Sequence, residues 1–177
     1  MRTPGRLILV AAALAAATAC ASSTLRTSVD YDRSVNFSKY RTFSYMDVQQ
    51  LRNELVGRRV HQALTDAMTA RGLQENNFSP DLFVVPHVRL SHETEIRTYS
   101  TGWGYGWRWR RAGPAVATVE QIPVGTLIVD LVDATAKEMV WRGTATDTLK
   151  PQATPAEKEQ ALTQAIAKML EGFPPAS

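Results

Sequence analysis

Hydrophobic and polar positions change period several times along this 177-residue chain, and each change predicts an element. A continuous apolar run, LILVAAALAAATA, extends from Leu7 to Ala19 behind Arg2 and Arg6. After small polar residues at 21–26, Val29 and Tyr31 alternate with Asp30 and Asp32, the pattern of a half-exposed strand. Asn36–Lys39 reads as a turn, and Tyr40–Met46, rich in aromatic residues and threonine, as a second strand. Between 48 and 72 the period becomes helical. Leu51, Leu55, Val56, Val60, Leu64 and Met68, with Ala63 and Ala67, recur in steps of three and four and form one stripe. Asp47 with Gln50 predicts a capping pair there, and Gly72 a stop.

The second half is mostly extended. Asp81–Tyr99 opens with an apolar run, Leu82–Val85, as in a strand covered on both faces. It then alternates polar and charged residues, which predicts projection past the core. Pro86 cannot donate to a ladder, so this strand should lie at an edge or carry a bulge. Val116–Ile122 predicts another strand, interrupted at Pro123, Val124 and Gly125. Thr126–Val132 and Met139–Leu149 form the arms of a hairpin around the loop 133–137. Leu127, Val129 and Leu131 share one face of the first arm; Met139, Trp141 and Ala145 share parity in the second, which puts Trp141 in the core. A final helix is marked by Thr154, Pro155 and Glu157 at its start, by a stripe of Leu162, Ala165, Ile166, Met169 and Leu170, and by Gly172 and Pro174 at its end. The predicted fold class is α+β, two helices packed on one face of a largely antiparallel sheet of about six strands. It forms a single domain over 27–175.

Composition changes the picture chiefly at the N-terminus. Thirteen helical residues span roughly 20 Å, short of the roughly 30 Å of a hydrocarbon core. A basic start, a short apolar run and small residues after it predict a secretory signal peptide over 1–19. The whole chain has 20 Lys+Arg and 17 Asp+Glu; cleavage would remove Arg2 and Arg6 and no acid, leaving a balance of +1. Basic charge is therefore no argument for nucleic acid as a partner, which would need a basic stripe or patch. Cys20 is the only cysteine, so an exported chain has no intramolecular disulfide to form.

Candidate chemistry is sparse. His61 lies at the edge of the first helical stripe, with no second ligand four residues away. His87 and His92 are five apart and fall on opposite faces of a regular strand, a poor start for a metal site. Glu93 and Glu95 share a face, but in a polar run where burial that would raise one pKa is not expected. Hairpin and turn roles suffice for Asp130 and Asp133. No nucleophile elbow surrounds a serine, and no glycine-rich phosphate loop opens a helix. Neither a cofactor nor a catalytic constellation is expected.

One stretch stands apart: TGWGYGWRWRR, residues 101–111, on a hairpin expected near 99–113. In extended chain Trp103, Tyr105, Trp107 and Trp109 would face one side, and Gly102, Gly104, Gly106, Arg108 and Arg110 the other. Such a ladder could bind sugar rings, an apolar patch or a membrane interface, with Arg108 and Arg110 meeting phosphate or carboxylate. The same residues could instead fold back on their own sheet or form a passive loop.

The segment Ala17-Thr18-Ala19-Cys20 resembles the lipobox of bacterial lipoproteins, with Ala17 where leucine is usual. The resemblance implies cleavage before Cys20, acyl chains such as palmitate on it, and a lipidated tether over 20–26. Ala21, in place of an aspartate, implies the outer membrane in preference to the inner. Three further segments resemble the bacterial lipoprotein family known as domain of unknown function 4136: VDYDRSVNFSKYRTFSYM, VGTLIVDLVDATAKEMVWRGTATDTL and the closing helix with its FPP end. That resemblance implies no activity, substrate or cofactor. The expected function is thus a non-enzymatic lipoprotein on the periplasmic face of a membrane, binding or scaffolding envelope proteins or glycans. The alternatives are a glycan or peptidoglycan reader working through 101–111, or an unrecognised hydrolase.

Overall fold

The structure, a computed structural model, describes residues 24–46, 53–99 and 116–175. The elements run β1 (Arg26–Tyr31), β2 (Thr42–Tyr45), α1 (Glu54–Thr69), β3 (Gln74–Glu75), β4 (Leu82–Tyr99), β5 (Val116–Asp133), β6 (Met139–Thr148) and α2 (Pro155–Met169), with a short 3-10 turn at Phe37–Lys39. One six-stranded sheet has the order β1-β6-β5-β4-β2-β3. Its four long-paired strands are antiparallel neighbours, whereas β2 is parallel to both β4 and β3. The parallel pairs follow from α1, which carries the chain from the end of β2 back to the starting edge of the sheet.

The two helices share one face of the sheet. There a single row crosses five strands: Tyr31, Trp141, Leu131, Val84 and Tyr45. Trp141, Leu131 and Val84 are fully buried, together with Phe43 and Leu82 in the neighbouring row. From α1 come Val60, Leu64 and Met68; from α2, Ile166 and Met169. Each such side chain contributes roughly 1.5–3 kcal/mol through removal of its surface from water. Arg71 ties the helices together: its guanidinium donates to the carbonyls of Ala67 and Leu170 at 2.9 Å, where the positive charge also meets the C-terminal dipole of α2.

Several expectations need correction. The first helix starts at Glu54, capped by the Asn53 side chain, which accepts from the N–H groups of Leu55 and Val56. The expected pair Asp47 and Gln50, with Leu51, lies outside the described residues, and Leu55 is exposed instead of joining the stripe. The segments Val116–Ile122 and Thr126–Val132 are one uninterrupted strand of 18 residues. Pro123 is tolerated because the β5–β6 pairing ends beside it: the last paired positions are Val124 and Thr148, and the Leu149 N–H still donates to the Pro123 carbonyl at 2.8 Å, so at most one terminal ladder bond is missing. Pro86 has a similar place in β4, past the last β2 pair at Val84. Met139 is half-exposed despite its parity with Trp141, because a bulge opposite Leu131 and Val132 shifts the register. Leu82–Val85 is covered on one side only; Phe83 and Val85 are half-buried on the face without helices. The closing helix matches its signals in full, with a reciprocal capping box between Thr154 and Glu157 and Pro155 in the first turn.

Candidate functional site

Strand alternation and the one-sided helix layer leave the opposite sheet face open. It presents Phe83, Val85 and His87 from β4, Ile128 and Asp130 from β5, and Arg142 from β6. Asp130 and Arg142 are directly opposed in register, so the guanidinium fork meets the carboxylate: Nε to Oδ1 at 2.6 Å and Nη2 to Oδ2 at 2.7 Å. His87 Nε2 stands 3.5 Å from Asp130 Oδ2. Asp130 is buried beneath these partners, while Arg142 and His87 remain partly exposed. The guanidinium engages both carboxylate oxygens and so fixes the orientation of the pair. The outward-facing imidazole and guanidinium, bordered by Phe83 and Ile128, can meet an anionic group on a neighbour. Residue types alone gave Asp130 a hairpin or turn role; its pairing with Arg142 is a consequence of hairpin register.

A second polar cluster is structural. Asp133 Oδ1 accepts from the backbone N–H groups of Thr135 and Ala136 at 2.8 and 2.9 Å, fixing the turn between β5 and β6. Its Oδ2 accepts from Lys39 Nζ at 2.9 Å and Tyr40 Oη at 2.8 Å, tying that turn to the 3-10 segment. These bonds, the Ala136 amide first and then the Lys39 ammonium, hold the carboxyl far below its usual range. Asp133→Ala is therefore expected to lower unfolding free energy by about 1–3 kcal/mol, measured by urea denaturation at neutral pH. A depressed folded-state pKa stabilises above the ordinary aspartate value near 4 and is lost as pH falls through the folded-state value. The gap between wild type and variant should accordingly shrink below about pH 4 and not between pH 6 and 8.

The third feature is the β4–β5 ribbon. Its register is continuous from Leu82 opposite Asp133 to Tyr99 opposite Val116, while β6 ends opposite Val124. Two strands therefore extend past the four-stranded part, as the polar alternation after Pro86 predicts. Glu93, three strands from β1, nevertheless contacts Arg26 at 3.2 Å. Both side chains lie on the open-face side, so this contact, across about 14 Å of sheet width, draws the ribbon toward that face.

The remaining expected residues fall as follows. His61 stacks on Tyr45, with ring centroids 4.1 Å apart, and its carbonyl lies 3.2 Å from the Tyr45 hydroxyl. His87 and His92 point to opposite faces, as their spacing requires. Glu93 is paired with Arg26 and exposed. Among the described residues no three His, Cys, Asp or Glu side chains converge as a metal site would need. A cavity of about 140 Å3 between Phe37, Tyr40, Arg71, Leu73 and Phe173 is small against the roughly 300–1,000 Å3 of ordinary ligand pockets. Cys20, the signal segment 1–19 and the stretch with Trp103, Tyr105, Trp107, Arg108, Trp109 and Arg110 lie outside the described residues.

Among solved structures, a PDZ domain protein from Parabacteroides distasonis aligns with 88% of this chain at 13% identity and a TM-score of 0.56. The chain spans 36% of that protein's length, and the likeness is one of fold. The PelC dodecamer from Paraburkholderia phytofirmans aligns in two crystal forms, with TM-scores of 0.48 and 0.47 and identities of 15% and 13%. Each covers 82% of this chain, which in turn covers 95% and 94% of theirs. No curated protein matches the sequence. The model of domain of unknown function DUF4136 matches residues 27–175, the whole of the sheet-and-helix body, and the chain belongs to that family.

Proposed function

We propose that this protein is a non-enzymatic envelope lipoprotein, held on the periplasmic face of a membrane, in preference the outer one, by acyl chains on Cys20. Its domain serves as a binding or scaffolding module. The observation that carries the reading is the position of the only cysteine, directly after a short apolar run behind two arginines. The fold supports it in two ways. Thr24 donates a hydrogen bond to the Asp147 carboxylate and Leu25 packs on the core, so just three residues separate Cys20 from a fixed part of the domain. The buried carboxylates Asp130 and Asp133 are also engaged by cations and amides, which suits architecture more than proton transfer. Washing isolated membranes with alkaline carbonate strips proteins held by polar contacts; this protein should stay in the pellet and leave only with detergent. Its release into the wash would contradict the anchor.

A second reading, glycan or peptidoglycan binding through 101–111, is favoured by the shared parity of Trp103, Tyr105, Trp107 and Trp109. Deleting Gly102–Arg111 should then reduce retention on peptidoglycan without changing the melting temperature of the domain. Unchanged retention removes this role, and unfolding indicates that the stretch packs on its own sheet.

A further inference from the structure

The β4–β5 ribbon is amphipathic in an unusual sense: its two faces differ in charge. Beyond Leu90 and Gly125, where it leaves the sheet, one face carries Leu90, Thr94, Ile96, Val119 and Gln121, with His92 among them. Every carboxylate of 90–96 and 119–125, namely Glu93, Glu95 and Glu120, lies on the other face. Leu90, Ile96 and Val119 are 75%, 65% and 62% exposed, and the last two are directly opposed as a cross-strand pair. Such apolar side chains on a solvent-facing ribbon gain nothing from the core.

The direction of the ribbon decides what meets this face. Arg26, at the start of β1, is level with Thr146, Thr126 and Arg89, so the chain enters the fold at the end from which the ribbon projects. The Arg26–Glu93 contact bends the ribbon toward the open face, which makes the uncharged face the convex one and turns it away from the core, toward that end.

Thr24 is fixed at Asp147, which pairs with Gly125 at the base of the ribbon. Four residue steps from Thr24 to Cys20 span at most about 14 Å. The nine steps from Leu90 to Tyr99 run about 31 Å along the strand. A bilayer that holds Cys20 therefore lies within about 14 Å of the ribbon's base, close enough for the ribbon to reach it.

We propose that the convex face of the ribbon, through Leu90, Ile96 and Val119, rests on the lipid surface that holds the acyl chains of Cys20. This rests on the anchor reading, and the experiment separates the two. Once acylated, Cys20 offers no competing thiol. The full lipidated chain, carrying Ile96→Cys, Val119→Cys or, as a control on the exposed side of α2, Glu159→Cys, is labelled with an environment-sensitive dye. It is then reconstituted into phosphatidylethanolamine–phosphatidylglycerol vesicles. Flotation with the vesicles reports the anchor alone. Among floated samples, dyes at 96 and 119 should be quenched by spin-labelled lipid and protected severalfold from aqueous iodide relative to 159. Equal iodide quenching at all three positions would overturn the lipid contact while leaving the anchor intact. Protection from iodide without quenching by lipid would also overturn it, since a second copy or another part of the chain would then cover the face. Failure to float would remove the anchor reading itself.

Discussion

Cys20→Ser is expected to transfer nearly all of the protein from the membrane pellet to the soluble periplasmic fraction. Ala17-Thr18-Ala19 keeps the small-residue pattern of an ordinary signal cleavage site, so export should continue and release a chain without acyl groups. One acyl chain gives reversible attachment on the order of 10⁴ M⁻¹, and two or more give lasting attachment, at about 0.8 kcal/mol for each buried methylene. What remains in the serine variant is ribbon contact through Leu90, Ile96 and Val119, each worth about 1.5–3 kcal/mol even if fully buried. That contact should be lost on washing. A processed serine variant that still pellets with membranes after washing would show that another surface holds the protein.

Trp141→Ala is expected to cost about 3–5 kcal/mol, a large share of the roughly 5–15 kcal/mol that stabilises a domain of this kind. The indole is 1% exposed and sits in the five-strand row between Tyr31 and Leu131, edge-on to Phe173 with centroids 5.5 Å apart. Its place depends on Gly143, two residues along β6. A Cβ there would fall against Trp141 Cη2 and within 2.6 Å of Met169 Cγ, so the glycine leaves room for the ring beneath α2. The indole N–H has no hydrogen-bond partner among the described residues. The loss on truncation is therefore apolar packing, and Trp141→Phe should cost less than about half as much as Trp141→Ala. Urea denaturation with an unchanged m-value checks both. Equal costs for the two variants would mean that the indole nitrogen matters in a way the packing does not show.

The fold was most legible where its signals are local. Thr154, Pro155 and Glu157 specify the start of α2 within four residues, and the parity of Leu127, Val129 and Leu131 fixes the buried face of β5. It was least legible where a neighbour decides. Pro123 reads as a break, but it costs little because it sits at the last rung between β5 and β6, where its carbonyl still accepts from Leu149; nothing near Pro123 says so. Met139 shares parity with Trp141, yet one bulged position moves it outward. The two-residue β3, exposed at both positions, has no pattern to read. The candidate surfaces divide in the same way. The segregation of Glu93, Glu95 and Glu120 from Leu90, Ile96 and Val119 is written in alternation, once the strands are paired. The Asp130–Arg142 fork needs the hairpin register, and the Arg26–Glu93 contact needs the bend of a ribbon across three strands.

The intact mass of the N-terminal peptide, taken from protein extracted out of membranes, tests the account most directly. A lipid-anchored protein yields a chain that begins at Cys20 and is heavier than its sequence by the mass of its acyl chains. A chain that begins there with a bare thiol, or one that retains residues before Cys20, would contradict it.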